Sequence, residues 1–541
     1  MKKNTVFNGL VLCGLISVSS CRSTEIDNSF TAGLASVKIN LLGSEYANSN
    51  VSNPVASLNK EAFSSDMKRV SLITPSTVLV AELNSDTSSL KTLATQDKGI
   101  NTTSSVSGDK LESGLKFRVI AYNKDGIYFT HGDYTIGSHA TPLMLNGGEG
   151  YDIIIYSFGT DKLPDINESE MRNINVAKID NLYDNEYIGK DFMYQKINYT
   201  PNGNNSNNTL NFTLRHKLSK ITVIVKSSFG DISEIRNASL EPHFGGGKIS
   251  LSDGRIKADY VSYTVPRFAG PFPSSEQIAN PVLINNENTA NTFSADVTLL
   301  GYTKSVSLSG FKIPSSTNAN LVVNMKTCSA YIAPGVLKEF MCHNLGADTS
   351  ADPFVPSSAI HGAKYQWGAG AEEYGRYISQ STDQFNPGFR PDGYITTSDK
   401  ADDSWLDTKK TSNDPCPSGF RVPTILDWEG VSSNNPNKER VGTWENGVNN
   451  YGAAIYYGTA KSPRTLMIPI AGYRGGLDGV LMYRGARAKY WTSSNYNYGY
   501  PDTIGPDPLG KATYFFNEFN VEGRSLEDYM TTGASIRCIA E

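Results

Sequence analysis

The sequence predicts a mostly β protein of several domains, β-sandwiches first and a compositionally distinct unit last. Three observations carry that prediction. Short runs of apolar–polar alternation recur along residues 35–325, bounded by Gly, Asn, Asp and Pro, with few helical stretches between them. At 541 residues the chain is too long for one core and should divide into about three or four domains. All five tryptophans (Trp367, Trp405, Trp428, Trp444 and Trp491) fall in the last third, which marks that third as a separate domain. Charged residues are 19% with a net charge of -5, so nothing in the composition suggests a nucleic-acid or anionic-membrane surface. No nucleic-acid partner is expected.

The N-terminus reads as a targeting segment. Lys2 and Lys3 precede an apolar run, Val6 to Val18, that is too short to span a membrane. It ends in Val18-Ser19-Ser20-Cys21, which resembles a bacterial lipobox. Residues 1–20 are then a lipoprotein signal peptide, Cys21 the lipidated residue and residues 21–34 a polar tether. An ordinary secretory signal with an incidental cysteine is the alternative. Export favours disulfides, and Cys328, Cys342, Cys416 and Cys538 allow three pairings. Proximity favours Cys328 with Cys342, which leaves Cys416 with Cys538; free buried thiols are the alternative. The chain-entropy model gives about 3 kcal/mol for the short loop and about 4–5 kcal/mol for the long one.

Along the chain, Ala35 to Leu42 alternates as a half-buried strand, followed by a long polar connection that ends in Lys68-Arg69. Val70 to Ile73 and Ser76 to Leu83 resume β character. Leu115 to Tyr122 and Ile127 to Thr130 flank Asn123-Lys124-Asp125-Gly126, a hairpin in which Asp-Gly supplies positive φ. Gly150 to Ser157 is another strand, and Asn202 to Asn208 is an Asn-rich break. Beyond it, Leu210, Phe212 and Leu214 alternate and lead through Arg215 to Val225 into a second β block. His216 lacks a ligand partner at metal spacing and reads as a strand histidine making one hydrogen bond.

With the lipobox, the early strand, Phe117-Arg118-Val119-Ile120-Ala121-Tyr122, Tyr151 to Ser157 and His216-Lys217-Leu218-Ser219-Lys220-Ile221, residues 35–325 resemble the Bacteroidetes fimbrillin proteins, components of type V pili. The resemblance implies two transthyretin-like β-sandwiches, 35–208 and 209–326. It also implies an Arg-specific protease that removes the first strand, after which another subunit's strand fills the groove. By position, Ala35–Leu42 matches the removable strand and Arg69 the cleavage site. The alternative is a solvated loop pair at Lys68-Arg69 and a strand that stays.

The terminal unit, 327–541, opens with a hairpin at Tyr331 to Cys342. Its central stretch, Asp414 to Trp428, reads as a rigid Pro/Gly turn, a short extended run and a helix start capped by Thr424 and Asp427. The ordered set Cys416-Pro417-Ser418-Gly419, Val422-Pro423-Thr424…Asp427-Trp428, Gly472-Tyr473-Arg474, Tyr490 to Ser494 and Ile536-Arg537-Cys538 resembles the Fibrobacter succinogenes major paralogous domain. That resemblance implies an α+β C-type-lectin-like fold, with a bridge that ties a helix region to the last strand. Trp428 and Trp491 read as core. Trp405, in the polar run Asp402-Asp403-Ser404-Trp405-Leu406-Asp407, is the candidate ligand contact. Asp399, Asp402, Asp403 and Asp407 are oxygen donors of the kind calcium takes, but the sugar-selecting triplet of calcium-dependent lectins is absent, so no metal is expected.

No G-x-S-x-G, H-E-x-x-H or P-loop occurs, and Gly245-Gly246-Gly247-Lys248 is followed by Ile249 where a metal-holding hydroxyl belongs. Neither an enzyme nor a cofactor is expected. The expected protein is a fimbrial lipoprotein of the cell surface and outer membrane, tied to the bilayer by lipid on Cys21. Its expected partners are other fimbrillin subunits, through donor-strand addition, and a glycan or host-surface protein ligand. A C-terminus committed to a closed domain argues for a pilus tip. A pilus anchor or a free outer-membrane lipoprotein that binds glycans is the alternative.

Overall fold

The computed structural model describes residues 33–47, 68–86, 108–167, 171–179, 190–204, 207–245, 247–257, 259–285, 290–299, 301–397, 400–460, 462–495, 511–518 and 521–541. The expected signal peptide 1–20, Cys21 and most of the expected tether lie outside them. The fold is mostly β. Among the described residues no helix is long and apolar enough to cross a membrane.

The strands β1 (Leu34–Glu45), β2 (Lys68–Thr74), β3 (Thr77–Ser85), β4 (Lys116–Asn123), β5 (Tyr128–Thr135), β6 (Leu143–Asn146), β7 (Tyr151–Ser157), β8 (Lys178–Ile179), β9 (Met193–Tyr199) and β10 (Asn208–His216) come first. A 7-stranded sheet runs β5-β4-β7-β9-β10-β1-β6. It turns on itself where β9 meets β10, which pair only at Arg215 with Tyr194 and His216 with Met193. The halves then face each other, and Phe117, Val119, Ile153 and Ile155 meet Val37, Leu143, Leu210 and Phe212 in one buried cluster. That is a β-sandwich. The β4–β5 turn forms as its residues dictate: Gly126 takes φ 74°, and the Asn123 side chain accepts from the amides of Asp125 and Ile127.

Next come β11 (Ser219–Ser227), β12 (Ile232–Gly245), β13 (Lys248–Ser250), β14 (Ile256–Lys257), β15 (Tyr260–Thr264), β16 (Glu276–Ile278), β17 (Val282–Ile284), β18 (Ala290–Leu299), β19 (Tyr302–Lys312) and β20 (Asn318–Thr327). Sheet β16-β11-β20-β3-β2, with β17 also on β11, faces sheet β15-β12-β18-β19. Ile221, Val223, Phe293, Val297, Leu308 and Leu321 fill the space between.

The strands are not divided at 208/209 as the Asn-rich break suggests. Asn208–His216 pairs inside the first sheet, whereas Lys68–Ser85 joins the second sandwich. β13, paired with β14 on one edge, reaches back to pair with β8 on the other, over the first. Alternation identifies a half-buried strand, but long-range pairing chooses its sheet and leaves no local mark.

Among the described residues, 327–541 hold many short strands, a 3-10 turn at Ser358–Ile360 and two α-helices, α1 (Gln380–Phe385) and α2 (Ile425–Asn434). The cap of α2 forms reciprocally: Asp427 N donates to Thr424 Oγ1 at 3.1 Å and Thr424 N to Asp427 Oδ2 at 2.8 Å. Trp428 is fully buried and stacks on Phe515 with centroids 4.7 Å apart. A Cβ on Gly430 would lie 1.8 Å from the Ile332 carbonyl, so only glycine lets α2 press against strand Ser329–Ala333. Both disulfides form, Cys328–Cys342 and Cys416–Cys538. The last stretch is less regular than its alternation predicts. Only Ile539–Ala540 is a strand, paired with Phe420–Arg421, while Ala534 and Ser535 make single bridges to Tyr365 and Tyr490.

The hairpin β2–β3 joins these parts because both its faces are apolar. Ile73, Leu79, Ala81 and Leu83 face the second sandwich, whereas Val70, Leu72, Val78 and Val80 pack into the terminal-domain core. Its turn accepts from both cysteines of the short bridge: Cys328 N donates to Ser76 O at 2.8 Å and Cys342 N to Pro75 O at 2.7 Å.

Candidate functional site

Strand β1 is held along both edges. It runs parallel to β10 from Val37 opposite Asn208 to Leu41 opposite Phe212, and antiparallel to β6 from Leu34 opposite Asn146 to Val37 opposite Leu143. Ala35, Val37 and Ile39 are buried, and Leu34 stands in solvent. The register then shifts before Ser44. Gly43 takes φ 133°, and a Cβ there would lie 2.7 Å from the backbone of Gly108 and Asp109. Ser44 and Asp109 exchange backbone hydrogen bonds of 2.9 and 2.7 Å at this point.

Past the end of β1, the Tyr46 ring lies flat on the His216 imidazole, centroids 3.8 Å apart and planes 3° apart. The Tyr46 hydroxyl donates to Asp191 Oδ2 at 3.2 Å, and the same oxygen lies 2.7 Å from His216 Nδ1. Burial, and then the Asp191 charge, push the Tyr46 phenol well above its ordinary range. A cleft of about 330 Å³ opens here, lined also by Asp109, Lys220 and Leu283. His216 thus makes its hydrogen bond within a strand, to Asp191. The stack on Tyr46 has no sequence signal, because the two residues meet only through the fold. No group of three His, Cys, Asp or Glu residues that could hold a metal exists among the described residues.

Arg69 lies within β2, paired opposite Ala81, rather than in a loop. Its Nε donates to Gly310 O at 3.0 Å. Lys68 Nζ lies 2.6 Å from Asp352 Oδ2 of the terminal domain and 3.8 Å from Glu82 Oε1. The polar connection therefore ends inside a ladder, because Lys and Arg stems cover apolar strand neighbours while their heads find acceptors.

Trp405 is not an accessible ligand contact. It is 1% exposed, packs 5.5 Å from Trp367, and donates from Nε1 to Asn413 O at 3.1 Å. The acids beside it are not gathered. Asp402 and Asp403 face solvent, Asp407 accepts from Ser493 and Ser494 at 2.5 and 2.7 Å, and Asp399 lies outside the described residues.

A buried charged cluster in the terminal domain escaped the sequence reading. Asp383, fully buried, takes Arg474 Nε on Oδ1 at 2.8 Å and Arg484 on Oδ2 at 2.7 Å, with Lys364 Nζ 3.8 Å away. Burial pushes Lys364 down to about 8, partly offset by Asp383, and pushes His361 down to about 3, helped by Lys364 and Arg484. Arg474 also donates to the carbonyls of Asn386, Phe389 and Gly479 at 2.8 to 3.1 Å, which fixes two surface loops to one buried guanidinium. Arg474 stands out in the sequence, closing the apolar run Ile468 to Tyr473 within the Gly472-Tyr473-Arg474 phrase, but nothing local links it to Asp383.

No family model matches the chain, and no curated protein matches it. Among solved structures, the chain is similar to a candidate cell adhesion protein from Bacteroides fragilis at 11% identity and TM-score 0.30, over 53% of this chain and 92% of that one. It is similar to the fimbrial anchor protein Mfa2 from Porphyromonas gingivalis at 16% identity and TM-score 0.24, over 38% of this chain and 76% of that one. A candidate polysaccharide-binding protein from Bacteroides thetaiotaomicron matches at 14% identity and TM-score 0.28, over 36% of this chain and 72% of that one. All three TM-scores lie below 0.5, too low for a functional inference to pass from these proteins to this chain.

Proposed function

We propose that this chain is a non-catalytic fimbrial lipoprotein of the cell surface, exported with a lipid on Cys21. It accepts an extended strand from another subunit in place of β1 and presents its terminal domain at the fibre's end. The observation that carries this reading is the seat of β1. The strand has a hydrogen-bonded ladder on both edges and an apolar row beneath it, yet it continues into the rest of the chain only through residues 46–67. A cut after Arg69 leaves it held by non-covalent contacts alone, and its loss would leave an open slot of the kind that takes a donated strand. Residues 534–541 are woven into the terminal domain and unavailable as a donor. The terminal domain's ligand would be a glycan or a host-surface protein.

N-terminal sequencing of surface-extracted protein tests the reading: a start at Val70 is expected. A second reading, an anchor or free lipoprotein that keeps β1 and its lipid, is favoured by the placement of Arg69 inside a ladder. It requires a retained, acylated Cys21. If the chain binds glycans but never co-purifies with fibres, the fimbrial reading fails.

A further inference from the structure

We infer that the socket formed by His216 and Asp191 is an anchor for an aromatic side chain, and that the strand which replaces β1 must carry a tyrosine-like residue just past its apolar row. This rests on the proposed strand replacement. The row itself discriminates little, because Ala35, Val37 and Ile39 are seats any alternating apolar strand fills. The Tyr46 contact is of another kind. It asks for a flat ring to lie 3.8 Å above an imidazole and for a hydroxyl to reach a carboxylate whose other oxygen, Oδ1, is buried without a hydrogen-bond partner.

Apart from Ser44, which belongs to β1, the walls of this socket do not leave with the strand. His216 closes β10, Asp191 precedes β9, and Lys220 and Leu283 belong to β11 and β17 of the second sandwich. When Tyr46 departs, a buried imidazole and a partly buried carboxylate lose their cover, and an incoming strand without an aromatic leaves them uncovered. The socket therefore selects among donor strands that the apolar row would accept alike.

Hydrogen exchange on the full chain tests the anchor. In Tyr46→Ala and in His216→Ala, the β1 amides are expected to exchange about tenfold faster, with the double variant little faster than either. Tyr46→Phe, which keeps the ring, should fall between, and Asn40→Ala, which removes the exposed bond to Asn211, should leave exchange unchanged. Wild-type protection in Tyr46→Ala overturns the anchor. In a second arm, the chain is nicked after Arg69 and incubated with a labelled peptide spanning Leu34–Ala47, or with its Tyr46→Ala version. Both should enter, the alanine peptide leaving about tenfold faster. Equal departure rates overturn the selectivity. If neither peptide enters, strand replacement is wrong, and the exchange result alone decides the anchor.

Discussion

At Asp383 one carboxylate sits among Arg474, Arg484 and Lys364, and all four groups are buried. Burial raises its proton affinity, but the three cations outweigh burial and hold the carboxyl below its ordinary range. Stability from this group is therefore present above the unfolded value of about 4 and is lost as pH falls through the lower folded value. Asp383→Asn strands the cations, and urea unfolding at neutral pH should show a loss of about 3–5 kcal/mol. Lys364 is shifted in the same direction, but for a lysine the shift marks a cost of burying the charged form. Held near 8 when folded, it gives up its proton while the unfolded lysine keeps one, so stability should rise between there and about 10.4. Lys364→Met should flatten that rise in unfolding midpoints taken across the interval. Trp405→Ala should lower terminal-domain stability by about 3–5 kcal/mol, because it empties a buried site. The cap of α2 was legible in Thr424 and Asp427 because capping is local chemistry. Trp405 misled because its neighbours Asp402, Asp403 and Ser404 are polar while its ring turns inward.

The existence of strands such as β1, β3, β4 and β7 followed from alternation and turn residues, but their partners did not. The hairpin β2–β3 shows why: a strand apolar on both faces is two-sided only if something covers each side, and the terminal domain does so here. If the chain is cut after Arg69 as proposed, this placement sets the cost of the cut. A protease needs the chain extended and out of its ladder, so β2 must release Lys68 from Asp352 and Arg69 from Gly310, and uncover Val70 and Leu72. The Lys68–Asp352 pair is partly exposed and is worth about 1 kcal/mol, so Asp352→Ala should raise the open fraction about fivefold. Where opening is fast, cleavage by an Arg-specific protease should accelerate equally. The rate at which the Val70 terminus appears measures this. Glu82→Ala, which removes the weaker contact at 3.8 Å, should change it less, and an unchanged rate in Asp352→Ala would show that the terminal domain does not guard the site.

The three parts of the molecule are interlocked rather than strung in series, since β2–β3 sits between second sandwich and terminal domain while β13–β14 lies over the first. None of that is visible in a sequence read block by block. Under the proposed fimbrial role it bears on fibre growth, where a subunit that takes a strand and gives one would extend the fibre. In this protein, residues 534–541 bridge Tyr365, Tyr490 and Phe340, pair with Phe420–Arg421 and are tied through Cys538 to Cys416. Freeing them as a donor means unfolding the domain. Adding the processed protein to assembling fimbrial subunits should therefore shorten fibres, with mean length in electron micrographs falling as its share rises. Gold-labelled antibody to residues 327–541 should mark fibre ends. The Cys416→Ser/Cys538→Ser variant loses about 4–5 kcal/mol of domain stability, yet below its melting temperature it should stop fibres as well as the parent, because the β bridges still pin the segment. Label along the shafts, or lengths indifferent to dose, would place the protein inside the fibre and remove it from the end.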